Sequence, residues 1–331
     1  MRLNQILDLS DNHRRIAVAR PSRGQAAGAA LLLVVALWGG SFVVVRAAVG
    51  AYPVVGFLFL RMLIGGLALM VLAYLRPNSR PRWERVPRRS LVGVGAALTV
   101  GYVTQTLGLA LGAPAGVAAT LTSLVVVLAP AWEWGMTGRA PDRRVVMSSL
   151  LAIVGTIVIC HAAPANSVGT GDAILGIALE IVSAAAFALQ VVLVGQLGET
   201  LSATALGGAQ LLLVAVTLLA ALPLAGGLPV PSAGVAAAVL FSALGASAFG
   251  FAVQAAAQKH LTTEAAAVIM ATEPAFALLA AALAGEQRLG IAAASGLGLL
   301  LLGVMVQGEA ARALLEAVVD RVGARLRWRQ A

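Results

Sequence analysis

Apolar residues in this chain fall in long unbroken blocks. They lack the i, i+3, i+4 stripe of a soluble amphipathic helix and the alternation of a half-buried strand. Ten blocks are long enough to cross a bilayer at about 20 residues per span: 27–48, 53–75, 91–111, 115–136, 145–163, 173–196, 203–224, 233–257, 263–284 and 289–308. Such runs are too long and too continuous for barrel strands. The connections are short and rich in Gly, Pro and Arg, as in APAG (113–116) and LPLAGGLPVPSAG (222–234). The pattern predicts an all-α, polytopic membrane protein with ten transmembrane helices. Residues 1–23 are polar and Arg-rich and contain no short apolar core with a small-residue cleavage site. No signal peptide is expected, and the first span is expected to serve as an uncleaved anchor.

Composition agrees with lipid as the main solvent. Of 331 residues, 60% are hydrophobic and 11% charged, against about 25% charged in soluble domains. Aromatics make up only 5%, while there are 36 glycines, so the helices are expected to pack by close backbone approach. The formal charge of +9 raises the question of nucleic acid, but the distribution of the charge answers it. With the N-terminus in the cytoplasm, 20 of the 23 Lys and Arg fall in cytoplasmic segments, the others being Arg46, Arg61 and Arg288. This is the positive-inside pattern, so no nucleic-acid partner is expected. The expected setting is the bacterial inner membrane, multi-pass, with both termini cytoplasmic. Ala- and Arg-rich, Lys-poor usage fits a bacterium of high genomic GC content. The single cysteine, Cys160, excludes an internal disulfide. In the tail 309–331, Leu314, Leu315, Val318, Val319, Val322 and Leu326 recur at helical spacing against Arg312, Arg321, Arg325 and Arg327. This suits an amphipathic helix on the anionic inner leaflet and equally a solvated tail that fixes topology.

The chain also repeats itself with an offset near 149 residues. LWGGSFVVV (37–45) aligns with AFALQVVLV (186–194), placing Trp38 over Phe187 and Ser41 over Gln190. Arg61 falls on Gln210. VGYVTQ (100–105) aligns with FGFAVQ (249–254), so Gly101, Tyr102 and Gln105 fall on Gly250, Phe251 and Gln254. Gly138 and Gly155 match Gly285 and Gly303 after a shift of one or two residues. Five spans per half is an odd number, so the second half enters from the opposite side and the halves are inverted. The expected organisation is a tail (1–26), a first five-helix repeat (27–163), a second (173–308) and a basic tail (309–331). Inverted repeats are a recurrent design of secondary transporters, in which exchange of the roles of the halves opens a shared site to either side.

The segments ALWGGSFVVVRAAV (36–49), FLRMLIGGLAL (59–69) and GYVTQTLGLALGAPAGVAATLTSLVVVLAP (101–130) resemble the first half of an EamA-type member of the drug/metabolite transporter superfamily. AFALQVVLVG (186–195), AVQAAAQKHLTTEAAAVIMATEPAFALLAAALAGE (252–286) and GLGLLLLGVMV (296–306) resemble the second half. The similarity covers roughly residues 30–306. One departure is Gly138-Arg139-Ala140-Pro141, where the family's first half usually has an acidic residue after the glycine. The resemblance implies a ten-helix transporter of metabolites, often an exporter of amino acids or related compounds.

Several polar side chains stand where lipid would penalise them. Glu273 lies about ten residues into its span, roughly 15 Å deep at 1.5 Å per residue, where a charge costs about 2.5–3.5 kcal/mol on insertion scales. It is expected to face a cavity or to be protonated, and either state suits proton coupling or amine binding. The structural alternative starts from Pro274, which removes an N–H and crowds the Met270 carbonyl. A protonated Glu273 can then stabilise the kink. Arg61 can hold a substrate carboxylate in a two-bond fork, snorkel to the outer interface, or pair with Glu180. Gln105 and Gln254 either bind solute in alternate states or tie helices together, a contact worth about 0.6 kcal/mol in membranes. Trp38, Tyr102, Phe187 and Phe251 suit aromatic cavity walls or ordinary helix packing. Ser41, Gln190 and Gln210 complete the candidate substrate-binding set. Glu180, Phe187 and Gln190 share one helical face, so the sixth span is expected to turn a partly polar stripe inward. Glu133 sits near the cytoplasmic end of its span and is expected to be interfacial.

No phosphate-cradling loop, zinc-ligand spacing or nucleophile elbow is present, and His13, His161 and His260 are scattered. No cofactor and no metal are expected, and the chain is not expected to be an enzyme. The reading is a secondary transporter, with a small-molecule substrate and the bilayer as partners and a proton as a candidate coupling ion. Efflux of lipophilic cations on the same fold is the nearest alternative. An intramembrane enzyme and a non-transporting scaffold stand further off.

Overall fold

The computed structural model describes residues 23–162, 171–197, 200–285 and 290–307. Residues 1–22, Arg288 and the tail 309–331 lie outside the described residues, and with them the expected amphipathic helix, while residues 23–26 of the expected N-terminal tail belong to α1. The described residues are helical, with no strand among them. The first half comprises α1 (Arg23–Val49), α2 (Val54–Leu75), α3 (Arg88–Ala110), α4 (Ala115–Thr122), α5 (Val125–Thr137) and α6 (Arg143–Ala162). The second half comprises α7 (Gly171–Leu197), α8 (Ala203–Ala221), α9 (Ala233–Leu240), a π-helical segment Phe241–Phe249, α10 (Gly250–Ala257), α11 (Thr263–Met270), α12 (Glu273–Leu283) and α13 (Ile291–Gln307).

Eight of these segments are long and apolar enough to cross a membrane: α1, α2, α3, α4 with α5, α7, α8, α9 through α10, and α11 with α12. The expected runs 145–163 and 289–308 are also helical, as α6 and α13, but stand outside the eight. α6 opens on Arg143 and Arg144 and carries Ser148, Ser149 and Thr156, and the described α13 has 17 residues. Helix starts follow local chemistry. In the first half, Pro53, Pro87 and Pro114 precede α2, α3 and α4, where a missing N–H costs nothing. In the second half, Ser202, Ser232 and Thr262 accept from the backbone N–H three residues on and cap α8, α9 and α11. Pro53 and Ser202 are themselves 149 residues apart.

Glycines set the register between the halves. A methyl group on Gly66 would lie 2.8 Å from the Leu212 side chain, and one on Gly207 or Gly208 2.9 Å from Leu69 or Met70. Ascending α2 therefore meets descending α8, so these two repeat-related helices run antiparallel. The same holds for α6 and α13. A methyl on Gly155 would lie 2.6 Å from the Gly296 carbonyl oxygen, one on Gly296 2.7 Å from Ile159, and one on Gly303 2.9 Å from the Ser148 carbonyl oxygen. Backbone cannot retreat as a side-chain tip can. Gly155→Ala is accordingly expected to destabilise the protein by about 1–3 kcal/mol, the usual cost of overpacking, read as a lowered midpoint in thermal or detergent unfolding of the purified protein.

Two spans are broken near their middles. α4 gives way to α5 at Ser123–Leu124, and α11 to α12 at Ala271–Thr272. The Ser123 hydroxyl donates to the Thr120 carbonyl at 2.6 Å, and the Thr272 hydroxyl to the Ile269 carbonyl at 2.7 Å. Both residues bond three positions back and are separated by the repeat offset, so the breaks are one feature used twice. Past the breaks, α5 and α12 each end near a glycine with positive φ, Gly138 (72°) and Gly285 (75°), the left-handed geometry that favours glycine at a helix end.

Candidate functional site

The residues exchanged by the repeat meet at the centre of the bundle. Gly101 on α3 leaves room for the Phe187 ring of α7, where a methyl would lie 2.6 Å away. Gly250 on α10 leaves room for the Trp38 ring of α1, at 2.7 Å. Each half thus seats an aromatic from the other. Tyr102 meets Phe187 edge-on at 5.2 Å between centroids, and the repeat-related pair Phe251 and Trp38 lies at 5.7 Å. Tyr102 and Phe251, which correspond to each other, touch across the centre at 6.1 Å. The four rings form one continuous aromatic wall about a pseudo-twofold axis.

Beside this wall is a cavity of about 50 Å³. One water needs roughly 10–15 Å³ of such space, so the cavity as seen admits only a few waters, and a larger solute requires its walls to part. Trp38, Ser41, Arg61, Tyr102 and Gln105 line it from the first half, and Phe187, Gln190, Phe251, Gln254 and Glu273 from the second. Gln210 does not line it. It is fully buried behind the wall and accepts from Gln190 Nε2 at 2.8 Å. Sequence reasoning did not select Phe42, Thr122, Val125 and Met270, which also line the cavity. Thr122, Val125 and Met270 flank the two helix breaks. The Ser/Thr before each break (LTSL and MATEP) is the signal that points to them.

The polar groups divide into bonded and unbonded. Gln254 Nε2 donates to Gln190 Oε1 at 3.2 Å, and Gln190 Nε2 donates to Gln254 Oε1 at 3.5 Å as well as to Gln210. These three amides form a cluster that ties α7, α8 and α10 together, with Gln210 Nε2 left without a partner. In the first half, Ser41 donates to the Trp38 carbonyl at 2.7 Å, and Gln105 Nε2 donates to Thr122 Oγ1 at 3.3 Å.

Arg61 is 3% exposed. Its Nε donates to Ser247 Oγ at 2.8 Å and its Nη2 to the Tyr102 hydroxyl at 3.3 Å, with the guanidinium carbon 4.7 Å from the Tyr102 ring centroid. The expected alternative of pairing with Glu180 is not found, because both Glu180 oxygens lack a hydrogen-bond partner. Burial against Ser247 and Tyr102 likewise excludes snorkelling to an interface. A guanidinium has five N–H donors, and the hydrogen bonds use only part of that capacity. Ser247 had no sequence signal, since its repeat position is Leu98. It is placed by the π-helical segment, which also turns the Ala246 carbonyl toward Trp38 Nε1 at 2.7 Å. The segment runs for nine residues, longer than the single-turn π-bulges that are frequent at functional sites.

Glu273 opens α12 and faces the cavity at 6% exposure. Thr272, not Glu273, bonds a carbonyl at the break before Pro274. The main chain of Glu273 packs on α1 at Gly39, where a methyl would lie 2.8 Å from the Glu273 carbonyl oxygen. Among the described residues no group of three metal-ligating side chains occurs.

Apolar spanning helices in two antiparallel halves around a small polar cavity define a multi-pass membrane protein. The chain belongs to the EamA-like transporter family, whose pattern matches residues 26–160 and 174–307, one match in each half. It is 29% identical over 189 residues to the uncharacterized transporter YvbV of Bacillus subtilis (strain 168), a match covering 57% of this chain and 60% of that protein. The match therefore spans less than two thirds of the relative's length. A crystal structure described only as that of a protein superposes with a TM-score of 0.69 at 20% identity, over 88% of this chain and 98% of the other. That likeness speaks to the fold alone. Family and relative both point to a transporter and not an enzyme.

Proposed function

We propose that this chain is a secondary transporter that exports small organic metabolites such as amino acids across the bacterial inner membrane by alternating access. Ten spans in two inverted repeats, 27–163 and 173–308, would place both termini in the cytoplasm. The observation that carries the reading is the charge inventory of the cavity. Arg61 from the first half lacks a carboxylate partner among the described residues, and Glu273 from the second faces the same space. A buried charge left without a partner is costly, so a solute bearing a carboxylate, an ammonium group or both recovers interactions that the empty site forgoes. Trp38, Tyr102, Phe187 and Phe251 supply the apolar wall, Ser41, Gln105, Gln190 and Gln254 the polar one, and Gln210 supports Gln190 from behind. The small volume fits a closed state between openings.

Efflux of lipophilic cations is the second reading, favoured by the same four rings. Against it, the Tyr102 face already holds the Arg61 guanidinium, which repels a second cation. Ligand-dependent thermal stabilisation of the purified protein, scored across amino acids, nucleosides, sugars and quaternary amines, separates the two. Amino acids and related zwitterions are expected to raise the midpoint. Stabilisation by quaternary amines alone would transfer the assignment to drug efflux.

A further inference from the structure

A second buried carboxyl lies beyond the cavity. Glu180 on α7 is fully buried, and neither of its oxygens has a hydrogen-bond partner. Ser183, one turn on, is equally buried and its hydroxyl is also unpartnered. Glu180, Ser183, Phe187 and Gln190 fall at 0, +3, +7 and +10, one stripe of the helix, and the last two line the cavity. Across from Glu180 is Gly108 of α3, where a methyl would lie 2.8 Å from Glu180 Oε1. Only glycine leaves that space. Gly108 shares a helix face with Gln105, which also lines the cavity. Glu180 therefore sits past the cavity on the inward stripes of both helices, about one turn beyond Gln105 on α3 and about two turns from Phe187 on α7. The direction is fixed by Gly108 and Gly176, each of which would hold a methyl 2.8 Å from the other's carbonyl oxygen. This is the end of the bundle where α3 closes at Ala110 and where α4 and α7 open at Ala115 and Gly171.

We propose that Glu180 is a second proton-binding site of this transporter, placed between the cavity and that end of the bundle. Its role in the cycle rests on the transport reading above. A fully buried carboxylate with no donor in reach is strongly disfavoured, so the group carries its proton in the closed state. When that end opens, water reaches Glu180 and Ser183, the proton passes to the water, and the carboxylate remains solvated. Closing reverses the step. The surrounding titratable groups do not neutralise it. α3 offers Tyr102, engaged with Arg61, and Arg88 and Arg89 at its far end. α4 offers none. α5 offers Glu133, whose neighbour Trp132 bonds the Ala185 carbonyl more than one turn away, and α11 offers Glu264 at its far start. On its own helix Asp172 lies eight residues earlier. Glu273, the other buried carboxyl, lines the cavity.

Infrared difference spectroscopy of the full chain in lipid vesicles, titrated from acid to alkaline buffer in H2O and D2O, tests this without any substrate. Protonated carboxyls give a C=O stretch that ionisation removes and deuteration shifts. The difference between the wild-type and Glu180→Gln spectra is expected to contain one titrating band, to persist when both carry Glu273→Gln, and to move in Glu180→Asp. If the Gln variant does not fold, the Asp variant decides: a moved band supports the site and an unmoved one overturns it. A Glu180→Gln spectrum identical to wild type, or a band that neither titrates nor shifts in D2O, also overturns it. Failure of every solute to stabilise the protein would count against the cavity's function and leave this band as it is.

Discussion

Replacing Glu273 by Gln is expected to abolish pH-driven transport while leaving folded protein in the membrane at wild-type abundance. The amide keeps the shape of the side chain and removes its exchangeable charge. Folding is spared because the break beside Pro274 is closed by the Thr272 hydroxyl on the Ile269 carbonyl, not by the Glu273 carboxyl. Coupling free energies between a proton and a ligand are typically 1–3 kcal/mol, about 5–150-fold in affinity. A pH dependence of that size in the wild type is expected to flatten in Glu273→Gln. Flux of a radiolabelled solute into vesicles, with and without an imposed pH gradient, measures it. Unchanged gradient-driven flux would remove Glu273 from the coupling step.

The second large effect is expected at Arg61. Hydrogen bonds to a charged group contribute about 1.5–3 kcal/mol, roughly 10–150-fold in affinity. Lys retains the charge but not the planar fork, nor its stacking on Tyr102. Arg61→Lys is therefore expected to weaken binding of carboxylate-bearing solutes by about tenfold or more, and to leave cationic solutes lacking a carboxylate nearly unaffected. Isothermal titration of both classes against wild type and variant gives the comparison. Equal losses for both would show that Arg61 serves chiefly to hold α2 against Tyr102 and Ser247.

The fold was largely legible because its cause is one-dimensional. Lipid cannot bond a backbone, so each crossing must be a long apolar helix, and block length reveals it. Block counting and strict span length part company at α6 and α13. Two arginines and three hydroxyl residues dilute the first, and the described part of the second has 17 residues. The central residues were legible through the 149-residue offset. Trp38 and Phe187, Tyr102 and Phe251, and Gln105 and Gln254 all line one cavity because pseudosymmetry places corresponding positions about a common axis, where Tyr102 and Phe251 touch. Gln210 shared the offset with Arg61 yet stands behind the wall, since an amide that bonds Gln190 has no need of the cavity. The break in the fourth span had a weaker sign than its partner, because it has Ser123 but no proline following directly.

By itself, the sequence determined that the backbone must be helical across lipid, that it comes in two related halves, and which polar residues lie too deep to be solvated. These follow from hydropathy and repetition, which a linear chain displays directly. The tertiary structure alone decided who neutralises whom. It set Arg61 on Ser247 and Tyr102 instead of Glu180, joined three glutamines, and left Glu180 without a hydrogen-bond partner. Partnership depends on angstrom-scale distances fixed by glycine contacts and a π-helical segment, and neither leaves a periodic trace in the order of residues.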